Sequence, residues 1–273
     1  MSLTMINWKF DPVLLAIGSL SIRWYGMLFV AAFLIGQVIL ARMFKAEGVP
    51  PANAERLLLY ALVATIVGAR LAHCLFYDPH YYLAQPLAML RIWEGGLASH
   101  GGAAGMLIGL WLGCRTARPR LPFIWLIDRA TIPAALGAVF VRAANFLNSE
   151  IVGVPTAGNW GVVFESVDLL PRHPAQLYEA AAYLVIGVVL LAIYQRFYQR
   201  TPSGLLFGLF MLLMFSVRIA VEFFKVPQAA YESGQIFSVG QYLSLPFIAV
   251  GAAFILRSQC KAPSACKSHI NSA

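Results

Sequence analysis

The chain has 273 residues, 60% of them hydrophobic and only 12% charged, with a net charge of +8 and a mean hydropathy of +0.72. A water-soluble domain carries about 25% charged residues, so this composition excludes a soluble globular enzyme and describes a polytopic membrane protein. The basic balance is no argument for nucleic acid: no basic patch carries interleaved aromatics, and membrane proteins gather Lys and Arg in cytoplasmic loops.

Residues 1–21 precede the first long apolar run; within them Phe10-Asp11-Pro12 reads as a turn and Val13–Ile17 as a short interfacial piece. The run over about 22–42 is too long for the apolar core of a cleavable leader and is expected to persist as a spanning helix. Further spans are predicted over about 57–77, 96–114, 122–147, 176–195, 204–224 and 236–256, each near the 20 or so residues a bilayer requires. The connection 78–95, rich in Tyr and Trp, reads as an interfacial arm, and the Gly- and Pro-rich stretch 151–175 as a small ordered loop. The expected fold is therefore all-α and polytopic, with about seven transmembrane helices in one membrane domain over 1–257 and a polar cytoplasmic tail over 258–273. Cys74, Cys114, Cys260 and Cys266 have neither disulfide-framework nor metal-ligand spacing, and no HExxH motif occurs, so no metal or cofactor is expected.

Orientation follows from the cations. One alternating set of connections holds Arg42, Lys45, Arg56, Arg115, Arg118, Arg120, Arg196, Arg200, Arg257, Lys261 and Lys267; the other holds only Lys9, Arg91, Arg172 and Lys225. The positive-inside rule puts the first set in the cytoplasm, with the N-terminus outside and the C-terminus inside. The unusual polar residues then collect at the outer leaflet: Tyr25 on the first helix, His100 on the third, Arg142, Asn145, Asn148 and Glu150 on the fourth, and Arg218 with Glu222 on the sixth.

A charged side chain in a bilayer costs roughly 2.5–3.5 kcal/mol on insertion scales, so each of these needs a reason. Arg142 and Asn145, three apart, share a helix face, and the planar guanidinium is suited to a phosphate. A snorkelling arginine would explain Arg142 alone but not its company of two asparagines and Glu150. Arg218 and Glu222 have i,i+4 spacing and can pair; a structural ion pair and a second phosphate ligand are both consistent with that spacing. His100, flanked by Gly101-Gly102 and by Gly95-Gly96, sits where a helix begins and can act as a general base. Tyr25, beside Arg23 and Trp24, has the features of an aromatic-belt anchor. Arg70, in Gly68-Ala69-Arg70, needs a partner inside its helix and either joins the polar cluster or is simply paired, and Asp128-Arg129 reads as a structural pair.

These motifs, taken in order, resemble the prolipoprotein diacylglyceryl transferases of bacterial plasma membranes. The resemblance runs from about Phe10 to Phe247. It is carried by Ile22-Arg23-Trp24-Tyr25-Gly26, Gly68-Ala69-Arg70, Gly95-Gly96-Leu97-Ala98-Ser99-His100-Gly101-Gly102, Arg142-Ala143-Ala144-Asn145-Phe146-Leu147-Asn148-Ser149-Glu150 with Gly153, Pro171-Arg172-His173-Pro174-Ala175-Gln176-Leu177-Tyr178-Glu179, Arg218-Ile219-Ala220-Val221-Glu222-Phe223-Phe224 and Gly240-Gln241-Tyr242-Leu243-Ser244-Leu245-Pro246. Three departures stand out: Val141 where relatives usually have glycine, Met214 where some have tyrosine, and Arg23 where some have histidine.

The resemblance implies transfer of an sn-1,2-diacylglyceryl group from phosphatidylglycerol to the lipobox cysteine of a prolipoprotein signal peptide, the first step of lipoprotein maturation, without a cofactor. It implies catalytic roles for His100, Arg142 and Arg218, and substrate binding by Tyr25, Arg70, Asn145, Asn148, Glu150, Gly153 and Glu222. His100 would take the thiol proton or position the lipid. From the residues alone, an anionic-lipid transporter using the arginines is the main alternative, although transporters spread polar residues to the bilayer midplane. A lipid hydrolase, with water as acceptor, is the other.

Overall fold

The computed structural model describes residues 5–18, 20–92, 95–156, 158, 160–226 and 238–260. Residues 261–273 of the expected tail, with Lys261, Cys266 and Lys267, lie outside the described residues, as does the start of the predicted 236–256 span. The chain is mostly helical: α1 is Trp24–Ala46, α2 Ala52–Phe76, α3 Pro79–Ala84, α4 Ser99–Thr116, α5 Phe123–Leu147, α6 Ala175–Phe197, α7 Leu205–Glu222 and α8 Val239–Cys260. It is not all-α, because five short strands accompany the helices: β1 Met5–Trp8, β2 Val13–Ile17, β3 Leu20–Arg23, β4 Gly161–Phe164 and β5 Pro171–Arg172. Among the described residues, six helices are long and apolar enough to cross a membrane: α1, α2, α5, α6, α7 and α8. The seventh predicted span forms α4, but its polar start at Ser99-His100 and its glycines dilute its apolarity.

Two compact bodies divide the chain, one of residues 1–36 with 130–273 and one of residues 37–129. In the smaller body α2 and α4 pack backbone to backbone. Gly101, Gly105, Gly109 and Gly113 recur every four residues on α4, so they form one stripe. A Cβ on Gly105 would overlap the Ala64 carbonyl oxygen, and one on Gly109 the Tyr60 carbonyl oxygen. In lipid, where apolar surface gives little drive for helix association, such close approach supplies the packing. The glycines that weaken α4 as an apolar span are thus the ones that seat it. The predicted arm folds as α3 and a 3-10 turn over Pro86–Leu90, with Tyr82 and Ala88 buried against Cys74. Arg129 makes a two-pronged ion pair with Glu47, at 3.0 and 2.9 Å.

In the larger body the stretch before α1 is a β-hairpin, β2 against β3. Asp11 turns the chain by accepting the Val13 amide, and the Trp24 amide donates to the Pro12 carbonyl, which fixes where α1 starts. β1 pairs in parallel with β4, and β4 antiparallel with β5. This sheet buries Val162 and Phe164 against Phe146, at the end of α5, with Trp8 packed on them. It thereby anchors the outlet of α5. Gly204, at φ +90°, occupies the left-handed conformation that lets the chain turn into α7. α7 and α8 meet where a Cβ on Gly208 would lie 2.8 Å from the Gly251 carbonyl oxygen.

Candidate active site

The larger body brings most of the predicted site residues together. At the C-terminal end of α5 the backbone reverses through Ser149 at φ +55° and Ile151 at φ +53°. Positive φ is sterically costly for a branched residue such as Ile151 and persists only where surrounding contacts enforce it. Here the reversal folds Glu150 back over the helix end. Its carboxylate accepts from Asn145 Nδ2 and Asn148 Nδ2, each at 3.1 Å, and its carbonyl accepts from Gln176 Nε2 at 2.6 Å. Arg142 Nη1 donates to Asn145 Oδ1 at 3.2 Å. Tyr25, near the start of α1, lies within electrostatic reach of both Glu150 and Arg142. Asn148 Oδ1 and Gln176 Oε1 are buried acceptors with no donor among the described residues.

A second group of charges adjoins the first. Glu179, one turn into α6, is fully buried, and its Oε2 lies 2.9 Å from Arg142 Nε as a charge contact rather than an aligned hydrogen bond. Its Oε1 accepts from Lys225 Nζ at 2.9 Å and from the Tyr183 hydroxyl at 3.2 Å. Lys225 also reaches Glu222 Oε2, at 3.2 Å, and Ser238 Oγ donates to Glu222 Oε1 at 3.1 Å. The expected Arg218–Glu222 ion pair is therefore absent among the described residues; Glu222 takes Lys225 instead. The i,i+3 partner beyond the helix end is reached because α7 stops at Glu222 and the chain turns there. Arg218 has no hydrogen bond or ion pair to another described residue, yet Tyr183 lies within electrostatic reach of Arg218 and Arg142 alike. Gly240 is pressed against this corner: a Cβ there would be 3.0 Å from Glu222 Oε1 and 3.5 Å from Arg218 Nη2.

Gly153 serves the site through its backbone. Its amide donates to the His173 carbonyl at 3.1 Å, its carbonyl accepts from Arg172 Nη1 at 3.0 Å, and it bridges to Lys225. A Cβ would overlap the His173 carbonyl oxygen, so only glycine fits. The bridge from Gly153 also helps to hold Lys225 in place. Nearby, Arg172 grips Asp168, and that contact holds the Asp168 carboxyl below the usual carboxylate range.

The smaller body holds the remaining two predicted residues. His100 is exposed in the first turn of α4, whose amide Gly102 N bonds the Ala98 carbonyl. Arg70 is buried on α2, and its guanidinium donates to carbonyls of Met89 at 2.9 Å, Ala88 at 2.8 Å, Gly95 at 2.5 Å and Gly96 at 3.3 Å. It also lies over the Tyr82 ring. These contacts tie Arg70 to carbonyls at Ala88, Met89, Gly95 and Gly96, shortly before His100 in the chain.

A guanidinium with unspent donors, two asparagines, a buried carboxylate and a second arginine without a partner among the described residues suit an anionic headgroup. Comparison with known proteins agrees. A family model described as prolipoprotein diacylglyceryl transferase matches residues 12–257. The chain belongs to that family. It is 51% identical over 254 residues to the phosphatidylglycerol–prolipoprotein diacylglyceryl transferase of Tolumonas auensis, covering 93% of this chain and 98% of the relative. The proteins of the same name from Chloroherpeton thalassium and Bacteroides fragilis are 42% and 37% identical, each over 93% of this chain, covering 94% and 95% of the relatives. Among the described residues no cluster of His, Cys, Asp and Glu could hold a metal ion.

Sequence reasoning assigns no role to Gln176 and Glu179, although both lie in the polar Arg172–Glu179 motif, and it misses Lys225. Glu179 was visible as an acid inside an otherwise apolar helix, which is itself a signal. Lys225 could not be told from an ordinary loop charge, because its burial depends on the turn after α7.

Proposed function

We propose that this chain transfers the sn-1,2-diacylglyceryl group of phosphatidylglycerol to the thiol of a prolipoprotein lipobox cysteine, the reaction named for its relatives. The sulfur forms a bond to the glycerol carbon that carries the phosphoryl oxygen. That C–O bond breaks, glycerol phosphate leaves, and the thiol proton passes to a base. Charge grows on the departing phosphate, so the site must supply cations before the reaction begins; such preorganised electrostatics is often the largest catalytic contribution. The observation that carries the reading is the pair Arg142 and Arg218, both near Tyr183 and both with guanidinium donors not taken up by described residues. They hold the phosphate. Asn145, Asn148 and Glu150 face the glycerol hydroxyls, with Tyr25 at their edge and Glu222 beside Arg218. His100 accepts the thiol proton. The assistance needed is modest, since a thiol with a pKa near 8.5 is already a few per cent thiolate at neutral pH. Gly153 and Arg70 act as supports.

The topology that fits this chemistry has seven spans with α4 among them, the N-terminus outside, and the site opening to the outer leaflet of the bacterial inner membrane. Residues 1–257 then form one membrane-embedded transferase unit followed by a cytoplasmic tail. Polar residues confined to one end of the spans disfavour the transporter alternative. The test is a mass-spectrometric transfer assay on purified protein with phosphatidylglycerol and a synthetic lipobox peptide. Diacylglyceryl addition to the cysteine peptide, and none to its Cys→Ser counterpart, is the expected result. Headgroup release without peptide modification would identify a hydrolase instead.

A further inference from the structure

We propose that Glu179 is the positioning residue of the transferase site: it aims the Arg142 guanidinium and, through Lys225, ties it to the Glu222–Arg218 corner. The inference rests on the phosphate-binding reading above. An acid with a side chain 0% exposed inside a spanning helix costs several kcal/mol to desolvate unless its charge is matched. Glu179 is matched twice, by Arg142 Nε on one oxygen and Lys225 Nζ on the other, each at 2.9 Å. Tyr183, one turn further along α6, adds its hydroxyl. The carboxylate thus joins α5, α6 and the turn after α7 at a single point.

The geometry has a consequence for Arg142. Its Nε edge faces Glu179 and its Nη1 faces Asn145, so two of the three nitrogens of a planar group are fixed from opposite sides. The direction of the remaining Nη2 follows. A lone arginine on a long flexible stem loses much of its bidentate geometry to rotamer freedom; Glu179 removes that freedom before a phosphate arrives. Lys225 contributes as a strut, since it spans Glu179 and Glu222. Glu222 in turn lies beside Arg218, at the spot where Gly240 leaves no room for a side chain. The two arginines that would grip one phosphate are therefore spaced through the sequence Arg142, Glu179, Lys225, Glu222.

A purely structural role for Glu179, compensating buried cations, makes different predictions. In the transfer assay Glu179→Asp keeps the charge but retracts it by one methylene. Positioning predicts turnover at least ten-fold below wild type, with the KM for the lipobox peptide unchanged and the melting temperature close to wild type. Charge compensation alone predicts wild-type turnover, and that result would overturn the proposal. Glu179→Gln with Lys225→Met gives a second reading. The double substitution removes one buried cation along with the anion, and its melting temperature should exceed that of Glu179→Gln alone, while turnover stays depressed. Recovery of wild-type turnover in the double variant would likewise overturn it. Arg142→Ala, assayed alongside, keeps the two readings apart. Undiminished transfer by Arg142→Ala removes the phosphate clamp itself; loss there with wild-type turnover in Glu179→Asp removes only the positioning.

Discussion

Arg129 and Arg142 lie on the same helix, both below the lipid-facing surface, and they are used in opposite ways. Arg129, 1% exposed, gives Nε and Nη2 to the two oxygens of Glu47, stacks over Trp125 and directs Nη1 to the Trp125 carbonyl. Its fork is closed by another fork. Arg142 meets Glu179 with only its Nε edge and gives Nη1 to an amide oxygen, which leaves one nitrogen without a described partner. Arg70 sides with Arg129, its donors taken by backbone carbonyls, and Arg218 sides with Arg142. A guanidinium whose donors are all taken by the protein has a structural task. One left partly open is held for a ligand. This contrast separates four arginines that composition alone cannot rank.

The contrast breaks most visibly through activity. Arg142→Ala and Arg218→Ala should each lower transfer by about 10²–10³-fold or more, the usual loss when a donor to developing charge is removed, while the proteins still insert and melt near the wild-type temperature. The peptide-transfer assay with a parallel melting curve checks both. If Arg218→Ala transfers normally, an arginine with open donors is no guide to function. Arg129→Met should do the reverse. It removes the Arg129 fork from the buried Glu47 carboxylate, and breaking such a buried pair typically costs about 3–5 kcal/mol, so the melting temperature falls steeply. In the molecules that remain folded, turnover per folded protein stays near wild type. Adding Glu47→Gln should recover part of the stability, because replacing both members of a buried pair is far cheaper than breaking it.

Much of this was readable in advance for one physical reason: lipid makes polar residues conspicuous. Arg142, Asn145, Glu150, Arg218 and Glu222 stood out because each is costly at the depth its helix places it. The helices themselves followed from length and apolarity. What could not be read was set by tertiary contacts. The strands before α1 and after α5 are too short and too mixed to announce themselves, and the parallel pairing of β1 with β4 joins segments more than 150 residues apart. The steric need for glycine at Gly153 is likewise tertiary, because the His173 carbonyl leaves no room for a side chain. The i,i+4 rule paired Glu222 with Arg218; the turn at the end of α7 brought Lys225 closer and won.

A smaller effect tests the seam that seats His100. Gly105→Leu places a branched side chain where even a Cβ overlaps the Ala64 carbonyl oxygen, so α2 and α4 must separate. His100 lies in the first turn of that same helix, four residues past Gly96, the last residue Arg70 holds. Transfer should fall while phosphatidylglycerol still protects Arg142 from modification by a guanidine-specific reagent. Loss of that protection as well would mean that the seam supports more than the smaller body.

The smallest effect is expected where an ion pair lies in water. Arg172 and Asp168 are partly exposed and bonded to one another, and the Arg172 contact is the main reason the Asp168 carboxyl sits below its ordinary value of 3.8. A carboxylate depressed in the folded state stabilises it at any pH above the unfolded value, and the contribution disappears as pH falls through the lower folded value. Solvent screening keeps such a pair weak. Asp168→Asn should therefore leave transfer and global melting near wild type at neutral pH, and should only speed amide exchange in residues 161–172, where Arg172 also holds the Gly153 carbonyl. At pH well below the lowered folded-state value the wild type and Asp168→Asn should exchange alike, since the carboxyl is then protonated in both states. A difference that survives there would show that the side chain acts through packing and not through charge. A large loss of transfer at neutral pH would mean that this exposed pair, through Arg172 and Gly153, holds Lys225 as firmly as Glu179 does.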